Sequence, residues 1–180
     1  MGYYTSLIQR KFRDVVGSRY QTVMREYNQF LPSEEEMVVP DIRRILMPLD
    51  FFVQTIPDEY YEVLSAYDAT VTLVYIIDAQ TRALIAETLD EEAAAEFCKS
   101  KEEYGRTMLQ QVSTRLASAG LTAESRLFIG DKADDVCKLS EGADLLALSR
   151  SYGGVHTDRN QLNPLTGIIC QEAGIPALLY

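Results

Sequence analysis

Short apolar runs alternate with helix-like segments from Arg43 to the end of this 180-residue chain. The runs cover residues 45–49, 70–77, 124–129, 144–149 and 177–180. Runs of this length, rich in β-branched or aliphatic residues, predict β-strands. Nearly continuous apolar strands that alternate with helices require crossover connections, so they predict a parallel sheet with helices on both faces. The predicted fold class is therefore α/β with five strands.

The connecting helices are predicted from their start and stop signals. The predicted helix starts, in chain order, are Thr55, Asp90, Asp131 and Asn163. Residues 57–59 (Pro-Asp-Glu) suit the first turn of the first helix, where proline and acidic residues are favoured. The second helix runs to about Ala119 and ends at Gly120. Asp134 lies at the third position after the Asp131 cap, as expected for a helix start.

The N-terminal segment differs from the rest of the chain in charge and in pattern. Residues 1–31 hold five basic and two acidic residues, which gives +3 and leaves −13 for the remainder of a chain with net charge −10. Their apolar residues recur at steps of three and four, which predicts an amphipathic helix that ends before Pro32 and Pro40. We therefore expect two parts: an N-terminal helix and linker, 1–40, and a domain, 41–180.

The apolar face of this predicted helix needs a surface to cover. We expect it to pack on its own domain or on a second copy of the chain. The alternative is a basic helix that docks on a membrane or on a partner protein.

Composition limits the function classes. A formal net charge of −10 repels phosphate backbones and argues against binding to nucleic acid. No apolar stretch approaches the ~20 residues of a membrane span, and the N-terminus lacks a signal-peptide pattern, so a cytoplasmic location is expected. The cysteines, Cys98, Cys137 and Cys170, have no C-x-x-C spacing and are expected to be reduced thiols. The sequence contains no metal-binding, phosphate-loop or Ser/His/Asp pattern, so it predicts neither a metal site nor a catalytic residue.

Three polar places follow predicted strands or begin the last helix. They are Asp50 after the first strand, the Ser149–Gly154 turn after the fourth, and Asn163. Open parallel sheets bind ligands beyond the carboxyl ends of their strands, where the strand order reverses. These places are therefore the candidate ligand site.

The strands and their flanks resemble the universal stress protein family, whose members share a βαβ sheet related to adenine-nucleotide-binding α/β folds. The matching stretches are Ile45–Asp50, Ala69–Asp78, Gly130–Asp131, Ala143–Arg150 and Pro176–Tyr180. They follow the family's order and spacing. The resemblance covers residues 43–180 and leaves the first forty residues outside.

The resemblance implies the strand order 3-2-1-4-5, which places Asp50 opposite the 149–154 turn. In ATP-binding members the acid after strand one contacts the ribose, and the strand-two backbone, near Ile76 in this chain, meets the adenine. A glycine-rich loop holds the phosphates. The candidate binding residues carried over to this chain are Pro48, Asp50, Ile76, Arg150, Ser151, Gly153, Gly154 and Asn163.

The glycine-rich loop of this chain departs from the family pattern. Asn163 and Pro164 replace the final Gly-Ser pair, Leu148 and Ser151 replace the first two glycines, and the loop is longer. A phosphate cradle needs backbone N–H groups close to the ligand, which glycine permits. Pro164 has no N–H to offer. We therefore expect that ATP is not bound in the family's usual mode.

Other residues of this region have simpler expected roles. Phe51 and Phe52 follow the strand-one acid, where small residues are usual, and are expected to fill the cavity, with stacking on a base as the alternative. Arg150 and Arg159 are candidate anion ligands but are expected to be solvated. His156, the only histidine, is expected to have no special role.

The resulting prediction is a non-enzymatic regulatory protein of universal stress type without a firmly predicted cofactor. It is expected to form a homodimer through the final strand, which ends at Tyr180. The first alternative is a binder of ATP or AMP that uses Asp50, Ile76 and the loop around Gly153. The second is an adaptor that docks through the N-terminal helix. The third, a nucleotide hydrolase, would depend on Asp50.

Overall fold

The computed structural model describes residues 41–53, 55–154 and 162–180, which belong to one folded unit, Asp41–Tyr180. Its elements are β1 Arg44–Leu49, α1 Asp58–Ser65, β2 Thr70–Asp78, α2 Ala79–Thr88, α3 Glu91–Ser118, β3 Thr122–Gly130, α4 Lys132–Ser140, β4 Leu145–Leu148, α5 Pro164–Glu172 and β5 Ala177–Leu179. The predicted helix and linker of residues 1–40 lie outside the described residues, as does the adaptor role that depends on them. In the described ranges, no helix combines the length and the apolar character needed to cross a bilayer.

The five strands form one parallel sheet in the order β3-β2-β1-β4-β5. This confirms the strand order and the fold class. β1 pairs with β2 from Arg44–Thr70 to Leu49–Tyr75, and β2 pairs with β3 over all nine residues. The side chains of β1, β2 and β4 are almost all buried because helices cover both faces. Each fully buried aliphatic side chain contributes about 2 kcal/mol to folding.

The helices lie on both faces of this sheet. On one face, Arg115 of α3 forms an ion pair with Asp58 of α1 at 2.5 Å. Gly105 lets α3 approach the sheet, because a Cβ there would lie 2.5 Å from the Tyr75 ring. On the other face, the Ser140 hydroxyl of α4 donates to the carbonyl of Ala173, just after α5, at 2.9 Å. This arrangement is the one expected when right-handed crossovers, the general rule for parallel strands, lead away from the β1–β4 reversal in both directions.

Pro48 lies in the central strand at the point where β1 and β4 separate. The β1–β4 ladder contains only the pairs Ile45–Leu145 and Leu46–Leu146. The carbonyl of Arg44 accepts the backbone N–H of Asp144, the residue just before β4. The backbone N–H and C=O groups of the even-numbered residues of β1 therefore face β4. The missing N–H of Pro48 therefore faces the opening crevice, where no ladder bond is lost.

Several predicted helix starts are confirmed, and two details differ. Asp90 and Asp131 accept backbone N–H bonds as N-caps of α3 and α4. Thr55 is not a cap: α1 begins after Pro57, and no side chain caps it. Helix α2 was not predicted, because none of its residues is buried and its sequence carries no apolar stripe. Its N-cap is Asp78.

Candidate functional site

Asp50, the first residue after β1, is buried with a relative exposure of 1%. Its Oδ1 accepts the backbone N–H of Phe52 at 3.0 Å. Its Oδ2 accepts from Lys132 Nζ and from the backbone N–H of Gly153, each at 2.8 Å. The carboxylate therefore joins the end of β1, the start of α4 and the loop after β4. This confirms that Asp50 faces the 149–154 turn.

Lys132 is the charge partner of Asp50 and is itself largely buried, with 15% of its side chain exposed. Its ammonium group lies 5.6 Å from the ring centroids of both Phe52 and Tyr152. Removing one partner of such a pair leaves an uncompensated buried charge, which is strongly destabilising. The pair therefore holds the crevice in one arrangement and withdraws Asp50 from solvent.

The loop after β4 packs against the start of α5. Gly153 has φ +89°, and a Cβ there would lie 2.5 Å from Leu165 Cδ2. At Gly154, a Cβ would lie 2.7 Å from Asn163 Nδ2. The two glycines therefore serve the close approach of this loop to α5. Both of their amides are already bonded: the Gly153 amide donates to Asp50, and the Gly154 amide donates to the carbonyl of Ser151.

The N-terminus of α5 satisfies its own donors. Asn163 Oδ1 accepts a hydrogen bond from the backbone N–H of Leu165 at 2.9 Å. The backbone N–H of Asn163 donates to the carbonyl of Arg150 at 3.0 Å. Pro164 stands at the first helical position and has no N–H. The Thr166 hydroxyl lies 3.1 Å from the carbonyl of Ser149. This helix start is well capped and offers few free donors to an anion.

An open cleft of about 390 Å³ lies at the carboxyl ends of β1, β2 and β3. The described residues that line it are Phe51, Phe52, Tyr75, Ile76, Ile77, Asp78, Gln80, Thr81, Phe97, Lys101, Asp131, Lys132, Ala133, Gly153 and Leu165. Phe51 is 48% exposed and packs edge to face on Phe52, with 5.7 Å between the ring centroids. The prediction that these two rings fill the cavity is wrong: they form one wall and leave it open.

The two carboxylates at the rim serve as helix caps. The Asp78 carboxylate accepts hydrogen bonds from the backbone N–H of Gln80 and from the hydroxyl of Thr81. Asp131 accepts from the amides of Ala133 and Asp134, and its other oxygen accepts from the Gln80 side chain at 2.8 Å. The hydrogen bond from the backbone N–H of Asp134 is the largest of the effects that lower the pKa of Asp131. Both carboxylates are thus committed to local structure.

Lys101 is the second cation of the cleft. Its ammonium group lies 4.0 Å from the centroid of the Phe51 ring and 5.7 Å from that of Phe97. It forms no ion pair within the described ranges of the chain. Since Lys132 is neutralised by Asp50, Lys101 is the cation best placed to meet an anionic ligand.

Two tyrosines near the floor of this region are held neutral. Burial raises the pKa of Tyr75, and nearby Asp50 adds to the effect. Burial also raises the pKa of Tyr152 well above its ordinary value. The Tyr152 hydroxyl is buried without a hydrogen-bond partner among the described residues. Neither phenol is suited to act as a base near neutral pH.

The predicted site residues fall into two groups. Ile76 and Gly153 line the cleft, and Asp50 lies behind it. The other predicted residues do not line the described cleft; these are Pro48, Arg150, Ser151, Gly154 and Asn163. His156 and Arg159 lie outside the described residues.

Sequence reasoning missed both lysines of the cleft. Lys132 directly follows the Gly130–Asp131 stretch at the end of β3, and a cation at that edge of the sheet was a usable signal. Lys101 is on a 28-residue helix and had no such signal. Across residues 41–53, 55–154 and 162–180, no three His, Cys, Asp or Glu side chains cluster in a way that would hold a metal ion.

Neither a protein-family model nor a curated protein matches this sequence. Solved structures do match. The universal stress protein UspA from Lactobacillus plantarum is similar at a TM-score of 0.63 and 15% identity, over 78% of this chain and 99% of that chain. A universal stress protein family member from Burkholderia pseudomallei is similar at 0.58 and 20% identity, over 79% and 98%. A universal stress protein in complex with cAMP is similar at 0.50 and 15% identity, over 78% and 98%. The described part of this chain therefore has the fold of the universal stress proteins.

Proposed function

We propose that this chain is a non-enzymatic regulatory protein of universal stress type, acting in the cytoplasm, that does not hold ATP in the family's usual mode. The observation that carries this proposal is the state of Asp50. Its carboxylate is 1% exposed and is bonded to Lys132 and to two backbone amides. A ribose hydroxyl would have to displace a buried ion pair to reach it, which is costly.

The start of α5 supports the same proposal. A triphosphate needs free backbone donors, but Pro164 has none and the Leu165 amide is already bonded to Asn163 Oδ1. The two glycines of the preceding loop are packed on α5. Both the ribose contact and the phosphate contact of the usual mode are therefore weakened.

Thermal-shift titration of the full chain with ATP and ADP, with and without Mg²⁺, tests this proposal. A ligand that binds the folded state alone adds about 2.7 kcal/mol of stability at ~100 times its Kd. We expect the Tm to stay unchanged up to millimolar ATP. A saturable rise in Tm with ATP would contradict the altered mode, and ATP turnover that is lost in Asp50→Ala would contradict the non-enzymatic role.

A smaller ligand is the second candidate, and the open 390 Å³ cleft favours it. Aromatic walls at Phe51 and Phe52 suit a planar base, and Lys101 suits a single phosphate. The similar structure that contains cAMP supports an adenine mononucleotide as the ligand class. In this mode the base and one phosphate occupy the cleft without using Asp50.

Isothermal titration with AMP and cAMP tests the second candidate. Loss of one charge-assisted contact in Lys101→Met should raise the Kd about tenfold or more. Lys99→Met is the matched control, because Lys99 is exposed on the same helix and does not line the cleft. Absence of binding at millimolar AMP and cAMP, or equal effects of the two substitutions, would count against this candidate.

The homodimer through β5 is part of the proposal. The Leu146 amide donates to the carbonyl of Pro176, and the Tyr180 amide donates to the carbonyl of Leu148. Even-numbered residues of β5 therefore face β4, and the amides of Ala177 and Leu179 face the outer edge. Leu179→Pro removes one outward donor and spares the inner ladder, whereas Leu179→Ala keeps the donor. We expect the proline variant alone to weaken the dimer, measured by sedimentation; equal masses for both variants would contradict pairing through β5.

A further inference from the structure

Among the described residues, the outer edge of β3 is a second unpaired edge of the sheet. β3 is the last strand on its side of the order β3-β2-β1-β4-β5. It pairs with β2 along all nine residues, and its other edge pairs with no strand of the described ranges. Unpaired edges of this length present a row of backbone donors and acceptors to any partner strand. The edge of β5 is only three residues long.

The side chains of β3 remain exposed in the middle of the strand. Glu124, Ser125 and Arg126 are all exposed. Neither Glu124 nor Arg126 forms an ion pair with another described residue. Edge strands are commonly protected by charged side chains, and like charges that lie directly opposite each other destabilise a pair of strands. Here two opposite charges stand two positions apart, on the same face of the strand, and that pattern favours self-pairing.

We infer that β3 pairs antiparallel with β3 of a second copy of this chain, about a two-fold axis through Ser125. In this register Glu124 lies opposite Arg126 of the partner subunit, and Arg126 lies opposite Glu124 of the partner subunit. Directly opposite residues of opposite charge stabilise antiparallel pairs. On the other face, Ala123 lies opposite Leu127 of the partner subunit, which matches a small residue with a large one. A two-fold interface of this kind is self-complementary by construction.

Neighbouring registers fail on charge. A two-fold axis normal to the sheet keeps each side chain on its own face of the sheet. One residue of the strand must therefore lie directly opposite the same residue of the partner subunit, and each register is named by that residue. An axis through Glu124 sets it against Glu124 of the partner subunit. An axis through Arg126 sets two guanidinium groups opposite each other. Like charges directly opposite are destabilising. Axes through Ala123 or Leu127 leave Glu124 and Arg126 without an opposite charge, so the axis through Ser125 is favoured because it alone of these registers forms both ion pairs.

Open space flanks the strand on both faces. Ser125 and Leu127 line a groove of about 650 Å³ beside α3, together with Arg106. Glu124 and Arg126 line a groove of about 520 Å³ on the opposite face. The side chains that meet in the inferred register thus face these grooves and are not packed under a helix of the described ranges.

This interface is independent of pairing through β5, because the two edges are on opposite sides of the sheet. A protomer that uses both edges forms an assembly larger than a dimer. A protomer that uses β3 alone forms a dimer whose sheet continues through ten strands. The two interfaces involve different peptides of the chain, so their amide exchange can be measured separately.

Hydrogen exchange of the full chain over a range of protein concentrations tests the inference. We expect the amides of residues 122–130 that face away from β2 to become protected as the concentration rises, because the alternate amides already bond to β2. Either single substitution, Glu124→Arg or Arg126→Glu, turns both cross-strand ion pairs into pairs of like charge. Each should raise the protein concentration at which protection is half complete by about tenfold or more. The double swap, Glu124→Arg with Arg126→Glu, restores opposite charges and should return the midpoint to within about threefold of the original.

Glu87→Arg is the matched control, because Glu87 is exposed on α2 and makes the same charge change away from β3. It should leave the midpoint unchanged. Protection of residues 122–130 that does not depend on concentration would overturn the inference, as would single swaps that behave like the control or a double swap that fails to restore pairing. Exchange of the 177–180 peptide reports β5 separately, so failure of one interface is distinguishable from failure of the other.

Discussion

Lys132 Nζ lies 2.8 Å from Asp50 Oδ2. The Lys132 side chain is 15% exposed and the Asp50 side chain is 1% exposed. Asp50 directly follows β1 and Lys132 begins α4, so this contact joins two residues that are 82 positions apart in sequence. The same carboxylate oxygen holds the amide of Gly153. One buried pair therefore fixes the position of the loop after β4 relative to the crevice.

Lys132→Met should destabilise the fold by about 3 kcal/mol, because it leaves the Asp50 carboxylate buried without its charge partner. Urea unfolding measures the change in the free energy of unfolding. Lys138→Met is the control, since Lys138 is 70% exposed and lies 4.0 Å from Asp135; exposed pairs contribute about 0–1 kcal/mol. Adding Asp50→Asn to Lys132→Met should recover part of the loss. Equal costs for the two lysine substitutions would refute a structural role for the buried pair.

Gly153→Ala and Gly167→Ala should change stability in opposite directions. At Gly153, φ is +89° and the new Cβ would meet Leu165 at 2.5 Å, so we expect a loss of about 1–3 kcal/mol. Gly167 lies in α5 with open space around its Cα, so alanine there should stabilise the helix by about 0.5–1 kcal/mol. Thermal unfolding of both variants checks the signs. A Gly153→Ala protein as stable as the original would mean that the loop does not pack on α5 as described.

Asp131 should contribute stability that is lost in acid. Its folded-state pKa is lowered, first by the bond from the Asp134 amide, relative to an ordinary value of 3.8. The contribution of the charged form is therefore present above about pH 4 and is lost as the pH falls through the lowered pKa. Asp131→Asn keeps a capping oxygen but cannot ionise. Urea unfolding should show a difference between the two proteins that shrinks as the pH falls from about 6 to 2; a constant difference would contradict this assignment.

The chain has eleven tyrosines, and five of those that the structure describes should resist ionisation until the protein unfolds. Burial raises the pKa values of Tyr60, Tyr61, Tyr75, Tyr152 and Tyr180. Their neutral forms stabilise the fold below the ordinary pKa of 10.0, and this contribution is lost as the pH rises above it. Absorbance titration near 295 nm should show a first reversible phase that excludes these residues, followed by a phase that coincides with loss of circular dichroism. A single reversible phase that includes all eleven would contradict their burial.

The strands and most helix starts were predictable because their signals are local. Leu73–Ile77 is apolar without interruption because this part of β2 is buried on both faces. Asp90, Asp131 and Asn163 are short polar residues that accept the first free amides of their helices. Helix α2 had no signal of this kind, since it buries no residue and its cap, Asp78, continues directly from β2.

The site was predictable only in part, because its contacts join distant segments. The position of Asp50 follows from the strand order, and its approach to the 149–154 turn was predicted and is confirmed. The burial of Asp50 by Lys132 depends on how α4 meets β1, which no local pattern encodes. The same holds for Lys101, whose contact with Phe51 depends on the path of α3 across the sheet.

The early end of the β1–β4 ladder, after two pairs, separates the scaffold from the crevice. The two strands part where the loop after β4 reaches Asp50 through the amide of Gly153. A substitution that reshapes the crevice beyond Leu46 therefore leaves both ladder pairs of the central sheet in place.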